Sequence, residues 1–220
     1  MLNAKIVELK KMIISQANTI EAMINKSIKG LSDYNEALLK EVLEIDEKKV
    51  NEMEISIDEK CISSIALFQP EAKDLRTIMM ISKMNIDLER IGDCAVNISE
   101  SSLYLITKQR IKPYNDIPKI AGETIKMFND SINSFINENE ELALFVCERD
   151  MIVDTYRDQI LREVVTYMYD DPRTIERGLH ILRIANNLER IADLCTNIAE
   201  ETVYIKKGRI IKHHYQENEV

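Results

Sequence analysis

The residues best suited to do chemistry are carboxylates at helical spacing, and they occur twice. The segment LERIGDCAVNISE at 88–100 returns as LERIADLCTNIAE at 188–200, with eight of thirteen paired positions identical. Glu89, Asp93, Asn97 and Glu100 therefore match Glu189, Asp193, Asn197 and Glu200. At about 100° per residue, Leu88, Ile91, Ala95 and Ile98 gather on one side of a helix, and Glu89, Asp93 and Asn97 lie nearly opposite. Two further acids, Asp150 and Asp154, stand four apart beside the apolar stripe of Leu142, Val146 and Val153, and Asp46 stands next to Val42. An acid at the edge of an apolar seam calls for a cation or a polar partner. Acid pairs from neighbouring helices would offer an almost all-oxygen ligand set, which favours magnesium, calcium, manganese or iron over a thiolate-type zinc site.

The same residues also fit a blander account. The stripe could be a solvated face, with Arg90 pairing Asp93 and Arg190 pairing Asp193 at i,i+3. Against it, Glu89 and Asp93 are like charges at i,i+4, where a lysine would be cheaper. For Asp46 and Asp150 the alternative is a local ion pair, with Lys49 and Arg149 at hand.

Enzyme chemistry beyond a carboxylate-held metal finds few residues. A nucleophile needs a base beside it, and the histidines are His180, His213 and His214. His180 reads as a structural or surface residue, and the tail pair could hold metal only loosely. No glutamate has a histidine three residues on, as a di-iron carboxylate bundle would require, and there is no glycine-rich phosphate loop. A carboxylate-only metal hydrolase acting on phosphate compounds stays open as the alternative to a non-catalytic protein.

Six helices are expected to carry these groups. Leu2, Ile6, Leu9, Ile13, Gln16, Ile20, Met23, Ser27 and Leu31 form a heptad-like stripe, which could serve a partner helix in a homodimer as well as its own bundle. Gly30 with Ser32 and Asp33 should stop that helix and cap the next. The second helix is expected at about 36–68, the third at 71–108, the fourth at 118–137, the fifth at 140–169 and the sixth at 173–207. Pro70, Pro113 to Pro118, Pro172 and Gly208 supply the breaks. The fold class is all-α, two tandem antiparallel three-helix bundles, with residues 1–112 and 113–209 as the repeats and 210–220 as a polar tail.

A net charge of -9 offers no basic face for nucleic acid. No apolar run approaches the roughly 18 residues that span a bilayer, and Lys5, Lys10 and Lys11 are wrong for a signal peptide. Cys61, Cys94, Cys147 and Cys195 are scattered singly at apolar helical positions, consistent with a reducing cytoplasm.

Taken together, Gln69-Pro70, Asp74-Leu75-Arg76, the 88–93 and 188–193 LERIxD segments and Asp171-Pro172-Arg173-Thr174-Ile175 resemble the PhoU family of phosphate-signalling regulators, in the family's order from about Ile6 to Lys207. The resemblance implies two three-helix bundles whose E/DxxxD motifs look like metal-cluster ligands, with iron or zinc in some members and no metal in others. Carried across, Glu89, Asp93, Glu189 and Asp193 match the third-helix motifs, and Asp150 and Asp154 the fifth-helix one. In the first half Asp46 fits, but Val50 stands where the second acid belongs. The second-half site is thus the better formed. The resemblance further implies a cytoplasmic, non-enzymatic negative regulator. Its partners would be the ATPase component of a phosphate ABC transporter and a phosphate-sensing histidine kinase, which it holds in its phosphatase-favouring state when phosphate is ample.

Overall fold

The computed structural model describes residues 1–111 and 115–208. Pro113, the proposed boundary between the halves and the tail histidines His213 and His214 lie outside the described residues. Helix α1 spans Leu2–Asp33. Helix α2 is built of Glu36–Glu41, a π-helical turn Val42–Asp46, and Glu47–Phe68. Helix α3 spans Ala72–Ile106, α4 Asp116–Asn137, and α5 Glu140–Asp170. A 3-10 turn, Pro172–Thr174, opens α6, Ile175–Lys207. No strand occurs among the described residues.

The duplication is visible in the turns. Helix α1 ends in left-handed Tyr34 (φ 56°) and α4 in left-handed Glu138 (φ 46°). The next residue in each case is asparagine, and its side chain accepts from the backbone N–H three residues on: Asn35 from Leu38, Asn139 from Leu142. An asparagine in that place satisfies one of the orphan donors of the following helix. Asn35, rather than Ser32 or Asp33, is therefore the cap, and α1 runs through Gly30 instead of stopping there. Gly30 serves packing: a Cβ there would lie 2.5 Å from Leu39 Cδ2. At the α5–α6 corner the Asp171 carboxylate accepts from Arg173 N–H, with Pro172 at the first turn.

The heptad-like stripe of α1 is consumed inside the chain. Leu9, Ile13, Gln16, Ile20, Met23, Ser27 and Leu31 are all buried, so it is not free to recruit a second copy. Helices α3 and α6 make the most extensive contact of any pair. They run antiparallel, with Tyr104 stacked on His180 at 4.1 Å and Arg76 lying against Gly208. One apolar core runs through both halves.

The π turn shifts the register of α2. Buried Leu39 and Val42 match Ala143 and Val146 of α5 at a separation of 104 (143 − 39, 146 − 42). Beyond the turn, Val50, Ile57 and Cys61 match Val153, Ile160 and Val164 at 103 (153 − 50, 160 − 57, 164 − 61). Helix α5 is continuous, so the π turn holds one extra residue, as such bulges do. Lys26 brackets it, donating to Glu41 at 2.8 Å and to Asp46 at 2.6 Å.

Candidate metal centre

The second half brings four of the expected acids together. Asp150 and Asp154, one turn apart on α5, face Glu189 and Asp193, one turn apart on α6. Burial first, then the neighbouring charges of Asp193, Asp154 and Glu189, push Asp150 up to about 6. Its Oδ1 is buried and has no hydrogen-bond partner among the described residues. Burial and the charge of Asp193 raise Glu189, and burial and the charge of Asp154 raise Asp193. Each shift reports the same condition, negative charge gathered at a partly buried face, with Asp150 withdrawn and Asp193 open to solvent.

One cation already stands in this cluster, and the sequence did not point to it. Arg157, one turn beyond Asp154 on α5, lies 3.6 Å from Asp154, 3.4 Å from Asp158 and 3.5 Å from Glu189. These are loose contacts, longer than a well-made charge-assisted hydrogen bond of about 2.7–2.9 Å. One guanidinium thus serves four carboxylates, Asp154, Asp158, Glu189 and Asp193, while the shift on Asp150 carries no contribution from it. Among the described residues, no group of three or more His, Cys, Asp or Glu is drawn close enough to hold an ion as the side chains stand. The donor set nevertheless fits a hard cation: it is all oxygen, undercompensated, and contains an orphaned buried carboxylate oxygen.

The first half is built differently. Asp46 is buried but belongs to Lys26, at 2.6 Å, and not to Lys49. Val50 is a core residue, 1% exposed. With the register reset by the π turn, it matches buried Val153, while Asn51 matches Asp154 (154 − 51 = 103) and Glu47 matches Asp150 (150 − 47 = 103). The expected pairing of Asp46 with a missing acid at Val50 is thus a register error of one residue. Glu54 stands where the second half has Arg157 (157 − 54 = 103). Burial, then the charges of Asp93 and Glu54, raise Glu89. Asp93 is raised by burial, and Arg190 from α6 opposes that shift.

The expected intrahelical arginine pairs do not form. Arg90 lies 3.5 Å from Asp87, and Arg190 offsets Asp93 of the other half. The antiparallel crossing of α3 and α6 explains this, since it brings the arginine of one repeat to the stripe of the other. Arg183 of α6 similarly donates to Asn97 and, at 2.9 Å, to Glu100. Arg149 pairs with Glu123 and, at 3.3 Å, with Asp130, leaving Asp150 without it. The shift from 104 to 103 between buried positions was the sequence signal that could have revealed Glu47, Asn51, Glu54 and Arg157. Nothing comparable marked Lys26.

Other reactive groups are withdrawn. Burial pushes the thiols of Cys61 and Cys94 up to about 12 and that of Cys147 up to about 11, and raises Cys195 as well. A thiol so protonated is a poor nucleophile. Burial lowers His180, the arene face of Tyr104 covering it.

Comparison with known proteins agrees with this architecture. The PhoU domain family matches residues 13–102 and 117–202, one match per half. The phosphate-specific transport system accessory protein PhoU homolog of Aquifex aeolicus is 40% identical over 208 residues, 94% of each chain. The phosphate-specific transport system accessory protein PhoU of Escherichia coli strain K12 is 35% identical over 211 residues, 96% of this chain and 87% of that one. The crystal structure of PhoU from Pseudomonas aeruginosa superposes with a TM-score of 0.91 at 36% identity, covering 95% of this chain and 100% of the other. With both halves matched and these relatives similar over nearly their whole length, the chain belongs to the PhoU family.

Proposed function

We propose that the protein is a negative regulator of phosphate uptake and of phosphate-responsive two-component signalling. It acts as an adaptor between the ATPase of a phosphate ABC transporter and a sensor histidine kinase. The observation carrying this reading is the near-full-length similarity to accessory proteins of phosphate-specific transport systems. The absence of a transmembrane candidate among the described helices fits a protein that reaches such a system by docking. Metal, where bound, sits between Asp150, Asp154, Glu189 and Asp193 and neutralises a face that Arg157 alone does not. Iron, manganese, magnesium and zinc are the candidate ions, with the all-oxygen donors favouring the first three. The test is deletion of the gene in its host with a phosphate-starvation reporter, alongside capture of kinase and transporter ATPase by the tagged protein. Reporter activity under ample phosphate, and capture of both partners, is the expected result. A silent reporter with no capture would overturn the reading.

One observation keeps a second reading alive. A carboxyl titrating near 6 beside three other acids is what a metal-dependent hydrolase of phosphate compounds would use to move a proton. Metal-loaded protein turning over a generic phosphoester, with turnover lost in Asp150→Asn, would establish that reading.

A further inference from the structure

Beside the carboxylates of each half lies an exposed apolar patch that neither the fold nor a metal uses. In the first half, hydrogen bonds from Ser82 to Asp58 (3.2 Å) and from Asn85 to the Glu54 carbonyl (2.8 Å) fix α2 against α3. That register sets Ile55 level with Ile86 and Ile62 level with Met79. These four side chains are 57%, 44%, 61% and 43% exposed. In the second half, Gly178 lets α5 and α6 approach closely; a Cβ there would lie 3.1 Å from Val164 Cγ1. Val165 is then level with Leu179 and Tyr169 with Ile175, and all four are exposed.

The patches are related by the duplication. Ile62 matches Val165 (165 − 62 = 103), and Met79 matches Leu179 (179 − 79 = 100). Ile55 and Ile86 become Asp158 and Asn186, so the second patch is displaced toward Pro172, where Tyr169 and Ile175 extend it. Single exposed apolar residues are ordinary, but a cluster recurring in both repeats at one groove is a docking signature. Each patch is bordered by acids: Glu54, Asp58, Glu89 and Asp93 in one half, Asp154, Asp158, Glu189 and Asp193 in the other. Lys83, Arg90 and, reaching over from α6, Arg190 are cations near the first border, and Arg157 and Arg162 near the second, fewer in each case than the four acids named.

We propose that each α2–α3 and α5–α6 groove receives an amphipathic helix of a partner protein, its apolar face on the isoleucine or valine–leucine patch and its lysines or arginines on the bordering carboxylates. Apolar burial supplies affinity, and the charge border sets orientation and excludes acidic helices. The inference deepens the docking part of the proposed function and rests on it only for the existence of a partner. Direct binding tests it, so a negative result would leave the reporter and capture results standing.

The probe is a fluorescent amphipathic peptide about 18 residues long, leucine on one face and lysine on the other, titrated into full-length protein by anisotropy. Two peptides should bind per chain. Ile55→Glu with Ile62→Glu should remove one site, and Val165→Glu with Leu179→Glu the other, each weakening binding there at least tenfold. Val7→Glu, at an exposed apolar position of α1, should change nothing, and a glutamate version of the peptide should not bind. Equal binding of the glutamate peptide, or insensitivity to both patch variants, would overturn the proposal. So would sedimentation showing a dimer that the patch variants convert to monomer, or vesicle binding that those variants abolish, because a second copy or a lipid surface would then be the occupant.

Discussion

Replacing Asp150 by asparagine should stabilise the metal-free protein at neutral pH, against the usual effect of a mutation beside a core. The folded carboxyl titrates at about 6, above its unfolded value of 3.8. Folding therefore disfavours the ionised form. Well below pH 4 the side chain is neutral in both states and costs nothing; the cost grows as pH rises from about 4 and is nearly complete above about pH 7. A rise of roughly two units corresponds to about 3 kcal/mol at most. Asp150 is only half withdrawn from water, and screening brings the expected gain to about 1–2 kcal/mol. For a chain of this size that is roughly 2–8 °C in Tm. Thermal melts of chelator-treated wild type and Asp150→Asn at pH 7.5 and pH 4 measure it, since groups remote from the cluster cancel in the difference and the relief of Asp154, Glu189 and Asp193 has the same sign. The gain should be nearly full at pH 7.5 and shrink to a small fraction of that at pH 4. Adding metal should reverse the order, because a cation at about 100 times its Kd stabilises wild type by about 2.7 kcal/mol and the variant by less. A variant less stable than wild type at pH 7.5 without metal, or a gap that ignores pH, would refute the reasoning.

Asp46, though also a buried acid, should respond with the opposite sign: Asp46→Ala leaves Lys26 beside the π turn with Glu41 alone and should cost about 1–2 kcal/mol by urea unfolding. Arg157→Gln takes one positive charge out of the second-half cluster and should tighten cation binding on the order of tenfold, read by calorimetric titration. Gly30→Ala should lose about 1–3 kcal/mol, because its Cβ meets the Leu39 side chain at the α1–α2 corner.

Much of the fold could be read from residue spacing. Core stripes gave the six helices, since a residue such as Ile13 or Phe128 has one apolar side to go to. Pro70, Pro172 and Gly208 gave three of the ends. The cap at Asn35 was missed because Gly30 looked like a stop, and only the approach of Leu39 shows that it is a packing residue. The second-half acids were legible because Asp150, Asp154, Glu189 and Asp193 sit in unbroken helices where spacing by four is spacing in space. The first-half acids were misread because spacing fails across a π turn. Val50 looked like a lost ligand and is core, and Asp46 looked like a ligand and is an ion-pair partner. Charge pairing across α3 and α6, such as Arg190 with Asp93, depends on how two distant segments cross, and no local pattern carries that.

The cation site proposed above lies in the second half, on acids that Arg157 alone does not neutralise, and excludes Asp46. Elemental analysis of protein purified without chelator tests it most directly, comparing wild type, Asp46→Asn, Asp150→Asn and the double variant Glu189→Ala, Asp193→Ala. Metal content should hold at the wild-type level in Asp46→Asn and fall in the other two. Metal retained in the double variant, or lost in Asp46→Asn while the protein remains helical by circular dichroism, would contradict it.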